Sequence, residues 1–143
     1  MITKPSKIDY EKLITIWENS VRATHTFVTE ADIQYFKPLI LNEYFDAVEL
    51  FCSRDENQKI NGFIGVVEDK VEMLFVDACV RGHGIGKKLL TYAIKDLNVK
   101  KVDVNEQNPQ AVGFYKYMGF QVVSRSPVDS IGKNYPILSM ELE

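Results

Sequence analysis

The chain has 143 residues, 45% hydrophobic and 26% charged, with 17 Lys and Arg against 20 Asp and Glu for a formal charge of −3. A single domain of this length buries roughly 70% of its unfolded surface, and 11% aromatic residues exclude a disordered chain. The negative balance argues against nucleic acid, whose backbone needs a basic face. The longest apolar run, 62–67, falls far short of the roughly 20 residues of a membrane helix, and the opening MITKPSKIDYEKL has no apolar signal core. Cys52 and Cys79 have neither metal-ligand spacing nor the number for a disulfide scaffold. The expectation is one domain over residues 1–143, cytoplasmic, without membrane, nucleic-acid or metal partner.

In chain order, residues 9–23 place Leu13, Ile14, Trp17 and Val21 at three- and four-residue steps, which predicts an amphipathic helix started by Ser6 or Asp9. Residues 30–45 read as a second helix interrupted near Pro38, because proline lacks a backbone donor and disfavours helix just before it. Strands are expected at 48–53, 60–68 and 71–76, joined by short polar turns that favour antiparallel hairpins. The stripe Ile85, Leu89, Leu90, Ala93, Ile94 and Leu97 predicts a strong helix over 84–97. A strand at 101–105, a helix at 109–118 and strands at 121–126 and 136–142 complete the chain. Strand–helix–strand–helix–strand after an antiparallel meander predicts a mixed α+β sheet.

Arg81-Gly82-His83-Gly84-Ile85-Gly86-Lys87-Lys88 lies between a strand and that strong helix. Alternate glycines let backbone N–H groups converge without Cβ atoms in the way. The helix start adds four unpaired donors and the positive dipole end, which together suit a phosphate. The Walker spacing and the dinucleotide fingerprint are both missing. A glycine turn serving close strand–helix packing remains the alternative for this loop taken alone. Further on, Asn108 and Pro109 open a helix by side-chain cap and first-turn proline. Ala111, Phe114, Tyr115 and Met118 share its stripe, and Gly119 suits its left-handed end. Tyr115 is thereby a polar-tipped aromatic on a buried face, where its hydroxyl needs a partner.

These two segments resemble the GNAT superfamily, the GCN5-related N-acetyltransferases. The family signature Arg/Gln-x-x-Gly-x-Gly/Ala matches Arg81, Gly84 and Gly86, and Asn-x-x-Ala-x-x-Phe-Tyr-x-x-x-Gly-Phe matches Asn108, Ala111, Phe114, Tyr115, Gly119 and Phe120. The matched core runs roughly from Val71 to Ser126. Small single-domain bacterial members share the Trp17…Thr24-His25 and Gly132…Tyr135-Pro136 surroundings. The resemblance implies a mixed, mostly antiparallel, six- or seven-stranded sheet, splayed near its centre, with helices on both faces. It implies that acetyl-CoA is the cosubstrate, with Arg81, Gly82, His83, Gly84, Ile85, Gly86 and Lys87 around the pyrophosphate. Phe75 and Val76 would then lie along the pantetheine arm, with Asn108, Phe114 and Tyr115 completing the cofactor side. His83 departs from the Lys, Arg or polar residue common at its position.

Acetyl transfer needs a deprotonated amine, a polarised thioester carbonyl and a proton for the leaving thiolate. The amide of Val76 is the expected oxyanion donor. Tyr115 resembles the family's general acid, since a phenol stays protonated at neutral pH; a purely binding role is its alternative. Glu72 stands where the family often has a strand glutamate and is the expected base, acting directly or through water, with Glu106 second and a free amine needing no base as the alternative. Strand alternation puts Glu72 with Leu74 and Val76, opposite Val71, Met73 and Phe75. Cys79, a few residues before a helix start, allows a covalent route that the family's direct attack disfavours, and Cys52 reads as core.

His25, Phe27, Asn105 and Tyr135 are the acceptor-side candidates, although His25 also reads as a histidine capping a helix end. Without a separate peptide-reading domain, a small amine or amino acid is the first acceptor expected, then a protein N-terminus or lysine. A non-catalytic acyl-CoA sensor is the competing class, and the protein is expected as a monomer or homodimer.

Overall fold

The computed structural model describes residues 1–142. Seven strands form one sheet in the order β1-β2-β3-β4-β5-β7-β6: β1 (Ile2–Thr3), β2 (Glu49–Arg54), β3 (Ile60–Val67), β4 (Lys70–Val76), β5 (Lys101–Asn105), β6 (Phe120–Ser126) and β7 (Ile137–Leu142). Every pairing is antiparallel except β4–β5, which is parallel and holds only at Lys70–Lys101 and Val71–Val102. Beyond those rungs β4 stays bonded to β3 and β5 to β7, so the two halves diverge. The mixed, splayed α+β sheet expected from the resemblance is thus present. Strand β1 escaped the sequence reading because two residues carry no alternation.

Helix α1 (Tyr10–Thr24) buries Leu13, Ile14, Ile16, Trp17 and Val21 against one sheet face. They share a core with Ile33 of α2 (Glu30–Leu39), Phe45 and Phe63. The other face carries α4 (Ile85–Asp96) and α5 (Pro109–Tyr117), whose Leu89, Leu90, Ala93 and Tyr115 pack on Ile64, Val71, Val102 and Met140. Removing side chains of this size from water stabilises the fold by about 1.5–3 kcal/mol each. Helices therefore cover both faces, and each face of the sheet has its own core.

Two local readings need correction. The segment after Thr29 does not break at Pro38, which lies inside α2. The proline has no N–H to return to the preceding turn, and the next bonds loosen instead. Ile40 N–H is shared between the Lys37 and Phe36 carbonyls. A π turn over Ile40–Tyr44 then leads into the short α3 (Phe45–Ala47). In β4, strict alternation fails: Gly65 faces Met73 and Val66 faces Val71, so Glu72 is an extra residue in a bulge. Val71 and Leu74 consequently share the α4/α5 face, while Met73 and Phe75 pack toward α1.

Candidate active site

The divergence of β4 and β5 opens a cleft of about 480 Å³. One wall is β4 from Val71 to Val76, the other β5 from Val102 to Asn105. The starts of α4 and α5 and the end of α1 close it. No helix among the described residues is long and apolar enough to cross a membrane, and no group of His, Cys, Asp or Glu among them has the makings of a metal site.

The β4 wall offers backbone. Opposed residues of an antiparallel pair alternate between exchanging both hydrogen bonds and exchanging none. Asp77 donates its N–H to the Asn61 carbonyl at 2.9 Å, so Phe75–Phe63 is a bonded pair while Val76–Gly62 and Leu74–Ile64 are not. The peptide groups of Leu74 and Val76 therefore face away from β3, into the gap that β5 has left. Val76 is where an oxyanion donor was expected.

At the cleft mouth, Asp77 accepts from Cys79 N–H at 3.0 Å and orders a short 3₁₀ turn over Ala78–Val80. Gly82 and Gly84 follow at φ +84° and +80°, a region that favours glycine. A Cβ added to either meets nothing within 4 Å, so the space in front of the loop is open. Gly84 caps α4 without a side chain, and the first main-chain bond of the helix is Lys88 N–H to Gly84 O at 3.0 Å. The Ile85, Gly86 and Lys87 donors are left over. The first turn has no acidic residue and carries Lys87 and Lys88, against the preference of the helix dipole. That pattern is what an anion would compensate. Gly86 brings α4 close to Val76 and Phe114, to whose side chains a Cβ there lies at 3.7 and 3.8 Å. His83 and Lys87 are exposed and outside the cleft lining; Lys87 Nζ lies 3.4 Å from the Tyr117 hydroxyl. Arg81 donates to Gln110 at the start of α5.

Tyr115 is 6% exposed, its ring set edge-on against Phe114 and Phe120. It lines the cleft, and its hydroxyl has no hydrogen-bond partner among the described residues. Burial pushes its ionisation well above the ordinary phenol value, so it remains a proton donor at any physiological pH. Glu72 also lines the cleft, where it is half exposed and ion-paired with Lys70 at 3.7 Å. Glu106 lies outside the cleft lining. Arg125 holds it at 2.6 and 3.0 Å and keeps its carboxyl below the usual range. Cys79 is an exposed thiol and Cys52 a buried one.

On the acceptor side His25 and Asn105 line the cleft, whereas Phe27 and Tyr135 do not. The latter continue the wall outward: the Phe27 ring lies 5.3 Å from that of His25 and 6.1 Å from that of Tyr135. Tyr135 donates to Asp32, which also pairs with Lys133 at 2.9 Å. Asp103 and Gln110 are among the cleft residues missed from sequence. Asp103 stands opposite Val102 and Val104 in the β5 alternation and pairs with Lys70, so its inward apolar neighbours were the signal. Gln110, the partner of Arg81, occupies a variable position of its motif and gave none.

The family model described as an acetyltransferase (GNAT) domain matches residues 16–143. A Salmonella typhimurium protein named peptidyl-lysine N-acetyltransferase YjaB is 42% identical over 130 residues, covering 91% of this chain and 89% of that protein. The solution structure of apo YjaB from Escherichia coli superposes with a TM-score of 0.89 at 36% identity, over 99% of this chain and 95% of that one. The PaiA N-acetyltransferase of Thermoplasma acidophilum, crystallised with coenzyme A, shares the fold at a TM-score of 0.75 and 21% identity, over 99% and 98% of the two chains.

Proposed function

The chain belongs to the GNAT family of acetyltransferases, and on that premise we propose that it moves the acetyl group of acetyl-CoA onto the side-chain amine of a lysine within a polypeptide. The observation that carries the acetyl-CoA half is the free edge of β4, opened toward a buried phenol and a helix start with unpaired donors. The N–H groups of Ile85, Gly86 and Lys87 would hold the pyrophosphate, as helix starts hold phosphates generally. The Leu74 and Val76 peptide groups would pair with the amides of the pantetheine arm. As the amine attacks, Val76 N–H would meet the charge growing on the carbonyl oxygen, and Tyr115 would protonate the departing thiolate.

For the acceptor, the 42% identity to a protein named as a peptidyl-lysine acetyltransferase supports lysine over the small amine that chain architecture put first. The anionic pair Glu72 and Asp103, with Lys70 as their shared cation, suits an incoming ammonium. The test combines acetyl-CoA binding with thiol release over an acceptor panel: an amino-blocked peptide with one lysine, its norleucine counterpart with a free N-terminus, and free amino acids and polyamines. Lysine-dependent release, with the acetyl group found on Nζ by mass spectrometry, is expected. Release with only the small amines overturns the lysine assignment, and saturable binding without release across the panel favours a sensor.

A further inference from the structure

We infer that His25 is the group that takes the proton from the acceptor ammonium, and that its Nδ1–H tautomer is fixed for the task by Thr24; this rests on the acetyltransferase reading above. A hydroxyl has one proton to give. Thr24 Oγ1 gives its own to the Ser20 carbonyl at 2.7 Å, so toward His25 Nδ1, also at 2.7 Å, it can only accept. Nδ1 therefore carries the hydrogen and Nε2 keeps its lone pair. Asn108 agrees from the other side. Its Oδ1 caps α5 by accepting from Ala111 N–H at 3.3 Å, which turns Nδ2 toward His25 Nε2 at 3.4 Å. The long contact leaves the lone pair loosely held in a cleft-lining side chain.

The competing carboxylates are engaged differently. Glu72 and Asp103 share Lys70, so both carboxylates already face a cation. Among the cleft-lining residues, the ionisable groups besides His25 are these two, Arg81 and Tyr115; a guanidinium offers no acceptor lone pair, and the buried Tyr115 phenol keeps its proton. Burial holds the His25 imidazole below its ordinary value, so it stands neutral and ready, opposed only by the helix C-terminus at which it sits. The balance is simple. R–NH3⁺ gives one proton to Nε2, and the free amine attacks the thioester carbon. The C–S bond breaks, the thiolate takes the Tyr115 proton, the second nitrogen proton restores the phenol, and Nε2 releases its proton to solvent.

The experiment reads pH profiles and imidazole nitrogen spectra on the full chain, with the lysine peptide and acetyl-CoA. In the parent protein kcat/KM should rise with pH to a plateau, with its midpoint below the ordinary imidazole value of about 6.5. His25→Gln should lose that limb and about 100-fold or more in kcat at pH 7, regaining rate as the peptide amine itself deprotonates near pH ~10. Acetyl-CoA affinity should be unchanged. Thr24→Val, which frees the tautomer, should lower kcat more than it changes KM. Glu72→Gln should keep the limb. A limb that survives in His25→Gln and disappears in Glu72→Gln overturns the assignment. The spectra need no turnover: the parent His25, identified by its absence in His25→Gln, should be the neutral Nδ1–H form at pH 7. An Nε2–H form or an imidazolium overturns it even if no amine is acetylated, an outcome that separately removes the proposed function.

Discussion

Tyr115 and Gly84 show how differently single residues can be tested. The Tyr115 side chain is largely buried and its hydroxyl has no partner among the described residues, so Tyr115→Phe gives up no hydrogen bond and should leave thermal stability unchanged or slightly higher. Its cost should fall on turnover alone, about 100-fold, with acetyl-CoA affinity kept; equal kcat under rate-limiting chemistry would remove the phenol from proton donation. Gly84 is less clean. At φ +80° any side chain is strained by about 1–2 kcal/mol, so loss of binding in Gly84→Val would mix backbone strain with blockage. Gly86 separates them, because it lies within a helix and its Cβ has room. Gly86→Ala should be stable and bind acetyl-CoA, while Gly86→Leu, reaching past Val76 and Phe114, should weaken binding more than tenfold without lowering the melting temperature.

Helix α4 can approach the sheet only because β3 has a glycine beneath it. A Cβ on Gly62 would lie 2.9 Å from Ile85 Cγ2, so Gly62→Ala should cost about 1–3 kcal/mol by overpacking. It should also shift the loop donors, read as weaker acetyl-CoA binding in a variant that still folds. Sequence made most such elements legible, since α1, α4 and the antiparallel strands follow from apolar periods of 3.6 and 2. What it concealed is where those periods fail. The extra residue at Glu72 put Val71 and Leu74 on one face against the alternation, and the π turn carried the chain past Pro38 without a break. The site divides in the same way. The glycine loop and the Asn108–Tyr115 stretch announced themselves by local grammar. The Thr24–His25–Asn108 chain joins residues 84 positions apart in sequence numbers 24 to 108, and Lys70 ties Glu72 to Asp103 across two strands; no local pattern encodes either.

The molecule as a whole is two half-sheets joined by two parallel rungs, with one core on each face of the sheet. That construction places an unpaired strand edge in the interior. In hydrogen exchange on the free protein, the Leu74 and Val76 amides should exchange roughly 100-fold faster than that of Phe75, which is bonded to β3. Acetyl-CoA should close that difference, and equal protection of all three beforehand would show the edge to be paired. The outer rim is handled otherwise: β6 is exposed beyond Phe120, with Val122 and Val123 bare, and slips register between Val122 and Ser124, a kink that discourages further strands. The inner edge has one more implication. Because its grip is made of main-chain atoms, replacing side chains along 74–76 alters the upholstery and not the handle, so alanine scanning is blind to it. Swapping the Val76 amide for an ester by chemical synthesis, which deletes one N–H and leaves every side chain in place, is the edit that reaches it.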